Sequence, residues 1–116
     1  MKTNELTGAA LNWAVAISND LTVDAWLNRQ IIVEYPDGSG YYAYEPAFNW
    51  AHGGPIIEKE KLYISPEIGK EGAGNAWYAV ALSSHDAYGQ TPLIAAMRCY
   101  VASKLGDDVN IPRELL

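Results

Sequence analysis

The segment from Thr91 to Gly106 limits the fold more than any other stretch of this chain. Thr91 followed by Pro92 writes a helix start into two residues. The threonine hydroxyl can accept an amide hydrogen that the first turn leaves unpaired, and proline lacks that hydrogen where none is needed. Gly106 supplies the stop. At about 100° per residue, Leu93, Ile94, Met97, Tyr100, Val101 and Leu105 fill one broad arc. The opposite face holds Ala95, Ala96, Cys99, Ala102 and Ser103, all small. A helix with one bulky and one small face is expected to be buried on two sides. Arg98 borders the arc, where it is expected to pair with an acidic group or stay at the rim.

A second helix is expected over residues 5–17, apolar nearly all round, with Asn12 its one strongly polar interior residue. A helix without a polar face is a core element. Its Trp13 and Ile17 are expected against the small face of the C-terminal helix. Ala14-Val15-Ala16 resembles a signal-peptidase site. Glu5 offsets Lys2, however, and cleavage would remove a helix the domain needs, so the run is read as structure. No stretch reaches the roughly 20 apolar residues that span a bilayer, so no membrane is expected. A short turn from Thr22 is expected to follow, anchored by Trp26 and Leu27.

The middle of the chain reads as β. Gln30 to Tyr35 is rich in β-branched residues, Pro36-Asp37-Gly38-Ser39-Gly40 is dense in turn formers, and Tyr41-Tyr42-Ala43-Tyr44 resumes. Leu62 to Ile64 and Trp77 to Leu82 are further strand candidates. Residues 66–75, with Pro66, Gly69, Gly72 and Gly74, are expected to form a mobile loop. The expectation is a single α+β domain over residues 1–116, a small mainly antiparallel sheet packed with the N-terminal and C-terminal helices.

Composition excludes several functions. Eight basic against 14 acidic residues leave a formal charge of −6, and the basic residues are scattered, which argues against nucleic acid as a partner. One cysteine, Cys99, forbids an intramolecular disulfide and favours a reducing cytosol. It is expected to pack as a small hydrophobe. Two histidines and one cysteine are too few for a closed zinc site of the usual kind.

The densest special segment is Asn49 to Glu58, with Trp50, His52, Gly53, Gly54 and Pro55. Pro55 is expected to open a short helix running to Lys61, whose first amides could hold an anion between His52 and Trp50. The simpler reading is a tight connection with Trp50 plugged into the core. His52, His85, Asp86 and Glu58 could form an acid/base or metal site, yet none of their spacings is a helical ligand interval. Tyr35, Tyr41, Tyr42, Tyr44 and Tyr63 form either a binding face or a half-covered sheet whose hydroxyls reach water.

Three segments together resemble the NinX family of lambdoid bacteriophages and prophages, a family without an assigned activity. They are Leu6 to Ala16 (LTGAALNWAVA), Trp50 to Glu58 (WAHGGPIIE) and Thr91 to Gly106 (TPLIAAMRCYVASKLG), in the family's order. The family often has glutamine where His52 stands, which argues against His52 as an essential catalytic group. The resemblance implies a phage accessory protein made in the host cytoplasm. It carries over no catalytic residue, no metal and no cofactor. The resulting expectation is a non-enzymatic protein-binding module that contacts a host or phage protein. Its candidate residues are Tyr41, Tyr42, Tyr44, Trp50, His52, Gly53, Gly54 and Glu58, with homo-oligomers left open. The alternative is a small enzyme, or a small-ligand or anion-binding protein, using the Trp50–Glu58 loop with His85 and Asp86.

Overall fold

The computed structural model describes residues 1–67 and 76–116. The loop expected over residues 66–75 lies, beyond Glu67, outside the described residues. In chain order the elements are α1 (Gly8–Ser18), β1 (Val23–Leu27), β2 (Gln30–Glu34), β3 (Tyr41–Ala43), α2 (Trp50–Glu60), β4 (Tyr63–Pro66), β5 (Trp77–Val80), β6 (Asp86–Gly89) and α3 (Pro92–Leu105). Short 3-10 turns occupy Thr3–Glu5 and Arg113–Leu115. Among the described residues no helix is long and apolar enough to cross a membrane.

Helix α3 is built as its sequence dictates. The Thr91 hydroxyl accepts from the Ile94 amide at 3.1 Å, and Gly106 closes the helix at a φ of 90°. Leu93 to Met97 and Cys99 to Ala102 are all buried. The helix lies against β4, β5 and β6 and also against α1 and α2, so both faces are covered. Arg98 stays half-buried but takes carbonyls rather than a carboxylate. Its Nε donates to the Leu6 oxygen and its Nη1 to the Tyr88 oxygen, each at 2.8 Å. One guanidinium thereby ties the approach to α1 and strand β6 onto α3, and the burial lowers its pKa.

The antiparallel strands divide into two three-stranded sheets, ordered β1-β2-β3 and β4-β5-β6. The Pro36–Gly40 turn joins β2 to β3, with Val33 opposite Tyr42. Trp26 and Leu27, expected to anchor a turn after Thr22, instead belong to strand β1, opposite Ile31 and Gln30. The β1–β2 hairpin turns through Asn28 (φ 50°) and Arg29 (φ 64°), the two positive angles that a two-residue hairpin loop needs. Arg29 also donates from Nη2 to the Leu115 oxygen at 3.1 Å, so the turn holds down residues 113–115.

In α1, Trp13 is half-buried and packs against the core. Ile17, expected beside it, is 36% exposed. The polar residue Asn12 is buried because its Oδ1 accepts from the Ala47 amide at 3.0 Å, which fixes the chain that leads into α2. Asn12→Ala would leave that amide without an acceptor. The expected cost is about 1–3 kcal/mol, read as a lower urea midpoint at unchanged slope.

Candidate functional site

Helix α2 organises the candidate site. Asn49 caps it, its Oδ1 accepting from the Ala51 amide at 2.9 Å, and the helix runs from Trp50 rather than from Pro55. Gly53, Gly54 and Pro55, whose composition suggests a break, lie inside it. The reason is tertiary. A Cβ on Gly53 would sit 2.5 Å from the Pro46 carbonyl oxygen and 2.6 Å from Leu93 Cδ2, so only glycine lets α2 approach α3 there. The amides after Pro55 that were expected to hold an anion therefore lie in the helix interior, and at the actual start His52 and Gly53 both donate to the Asn49 carbonyl.

His52 is fixed from below. Its Nδ1 accepts from the Glu45 amide at 3.0 Å, which places the hydrogen of the neutral ring on Nε2. The ring stacks on Tyr44 at 5.4 Å and tilts against Tyr42 at 5.8 Å, and Tyr42 in turn meets Tyr35 at 4.7 Å. Tyr42 and Tyr44 share a face of the β3 segment because alternate residues point the same way. Of these rings, Tyr42, Tyr44 and His52 border an open cleft of about 270 Å³, completed by Asn19, Leu21, Ala51, Pro55, Ile56 and Lys59. Burial pushes the Tyr44 hydroxyl up to about 12, with Tyr42 adding a little and the Asn19 side chain partly offsetting it.

The remaining sequence candidates separate from this cleft. Tyr41 alternates to the other face of β3 and is 57% exposed. Gly53 is a buried packing residue. Trp50 is 55% exposed, which overturns the reading in which it plugs the core. Two residues from His52 on the helix, it points roughly 160° away from that ring. Gly54 and Glu58 follow Trp50 at four-residue intervals on the same flank. Ala51 and Pro55, both exposed, form the ridge between this flank and the cleft.

His85 and Asp86 lie elsewhere, on a polar cavity of about 440 Å³ beside Lys2, Thr3 and Asn4. His85 Nδ1 is 2.9 Å from the Ser83 hydroxyl, and Asp86 Oδ2 accepts from the Tyr78 hydroxyl at 3.0 Å. Neither His52 nor Glu58 borders that cavity, so the four residues weighed together in the sequence do not assemble. Among the described residues no group of three His, Cys, Asp or Glu side chains could hold a metal ion. Cys99 is buried and its Sγ donates to the His85 carbonyl oxygen at 3.3 Å. Burial, helped by Asp86, pushes its thiol to about 12, far from the thiolate a nucleophile needs.

Asn19, Leu21 and Lys59 lie outside the quoted motifs, and Ile56, though inside Trp50–Glu58, was not among the candidate site residues. Ile56 and Lys59 stand four and seven positions after His52, a helical spacing that becomes visible once α2 starts at Asn49.

Fold and site define a small α+β protein that gathers aromatic side chains around one helix. The family described as Bacteriophage P22, NinX matches residues 2–104, and the chain belongs to this phage family. No curated protein matches it.

Proposed function

We propose that this chain is a non-enzymatic binding module that acts in the host cytosol by docking a host or phage protein on the exposed side of α2. One observation carries the reading: a single helix presents an exposed Trp50 on one flank and, across the Ala51–Pro55 ridge, a cleft walled by Tyr42, Tyr44 and His52. Tyr and Trp offer large apolar area with a polar tip and are enriched at the centres of interfaces. Affinity capture from phage-infected cells tests it. The wild-type protein is expected to enrich a partner that Trp50→Ala and Tyr42→Ala lose by about tenfold or more, the scale of an aromatic hot spot. Repeated capture without a partner, or a partner indifferent to both substitutions, would refute the proposal.

The cleft itself favours a second reading, a small-ligand site. Lys59 and the Nε2 hydrogen of His52 are donors at an apolar wall, suited to a small group that carries an acceptor. A thermal-shift screen of small carboxylates against wild type and His52→Ala separates it from the first.

A further inference from the structure

Trp50, Gly54 and Glu58 stand four residues apart and share one flank of α2. Trp50 Cε3 comes within 3.9 Å of where a Cβ on Gly54 would be. The indole therefore reaches along the helix over Gly54, and at 55% exposure it stays open to solvent. Gly54 gives the flank a floor without a side chain, and the small Ala51 and Pro55 border it as the ridge toward the cleft. Glu58 closes the far end, about 12 Å along the axis, and helical side chains lean back toward the N-terminus, here toward the indole. Glu58 is exposed and enters none of the ion pairs among the described residues, which include Lys2 with Asp108 and Lys104 with Glu60.

We infer that this flank docks an arginine-bearing segment of a basic partner protein, the guanidinium stacked on Trp50 and hydrogen-bonded to Glu58. The face of an indole is the most favourable aromatic surface for a cation. A guanidinium is planar enough to stack on it and at the same time presents a fork of donors that matches a carboxylate, which an ammonium group cannot do. The chain's net charge of −6 draws a basic partner and repels a nucleic acid backbone. Of the nearby cations, Lys59 belongs to the cleft on the other side of the ridge and Lys61 sits in the left-handed cap beyond Glu58.

This inference rests on the protein-binding reading and names the chemistry of the partner. The test titrates the whole protein with a ten-residue peptide carrying spaced arginines, its lysine counterpart, and a single-stranded oligonucleotide. Indole N–H resonances are followed by NMR, that of Trp50 identified by its loss in Trp50→Phe. The arginine peptide is expected to shift that resonance, to bind about tenfold more weakly to Trp50→Ala and to Glu58→Gln, and to outcompete the lysine peptide about threefold. Gly54→Leu fills the floor while favouring the helix, so it is expected to abolish binding without lowering the melting temperature. Equal affinity for all variants, or a Trp50 shift with the oligonucleotide alone, would overturn the assignment. If the peptides fail while cellular capture still depends on Trp50, the arginine chemistry falls and the binding module stands. If capture fails as well, both fall.

Discussion

Gly89→Ala is expected to destabilise the protein by at least about 3 kcal/mol, the upper range for overpacking a core. A Cβ at this position would lie 2.5 Å from the Ala95 amide nitrogen, 2.9 Å from Ile94 Cγ2 and 3.0 Å from Ala95 Cα. Ile94 could rotate away. The backbone of Ala95 could not, so relief requires β6 and α3 to part at their contact. Because α3 also bears on β4, β5, α1 and α2, the displacement spreads through the core. Urea unfolding at neutral pH measures the loss, and Gly54→Ala is the matched control. There the nearest atom is Trp50 Cε3 at 3.9 Å, so a gain of about 0.5–1 kcal/mol from better helix propensity is expected. A Gly89→Ala protein as stable as wild type would show that the two elements do not meet as closely as described.

Alkaline pH is expected to unfold the domain well before its ordinary surface groups would. Three buried groups are held protonated by the fold. Cys99 rises from 9.0 to about 12, mainly by burial with Asp86 contributing. Tyr44 and Tyr100 each rise from 10.0 to about 12, again first by burial, with Glu60, Tyr44 and Asp20 adding to Tyr100. Each group is neutral when protonated and has the higher pKa in the folded state, so above its unfolded value the unfolded chain releases more protons. The stabilisation is therefore whole below pH 9 and is lost progressively between pH 9 and 12. At one pKa unit per 1.36 kcal/mol the three together remove on the order of 5 kcal/mol by pH 11, comparable with the whole stability of a small domain. Denaturation midpoints measured from pH 7 to 11 check this. Cys99→Ala should move the onset of the decline from about pH 9 to about pH 10. A flat profile to pH 11 would contradict the burial of all three.

The parts of the fold that the sequence announced are those whose local chemistry and tertiary role agree. Thr91-Pro92 and Gly106 cap α3, and its two apolar faces meet two partners. The Pro36–Gly40 turn makes a hairpin between strands that are themselves β-branched or aromatic. What stayed hidden is where packing overrides composition. Strand β1 was obscured because its turn uses Asn28 and Arg29, with no glycine to mark positive φ, and Arg29 is kept there by its bond to Leu115. Strand β6 is only Asp-Ala-Tyr-Gly, and its glycine answers to the close approach of α3 rather than to a turn. The Gly53-Gly54-Pro55 run looked like a helix start and is helix interior, since Gly53 is demanded by Pro46 and Leu93.

The candidate site followed the same division. His52, Tyr42 and Tyr44 were singled out as residues, and the structure brings them together. Their convergence depends on the Glu45 amide reaching His52 and on the alternation of β3, neither of which has a sequence signature. The separation of His85 and Asp86 into another cavity follows from β6, the strand that the sequence concealed.

The position of α3 also bears on how the protein is made. It follows every other major element in the chain, yet it meets α1, α2 and all three strands of the second sheet. During synthesis the first sheet has α1 to pack against, but the side of α1 that meets α3 waits uncovered until residues 92–105 have left the ribosome. The first lasting contact available to α3 is then with β6, its neighbour in sequence, and the older segments fold back onto that unit. The interval before residue 105 emerges is therefore when that surface of α1 and the second sheet are most exposed to aggregation and chaperones.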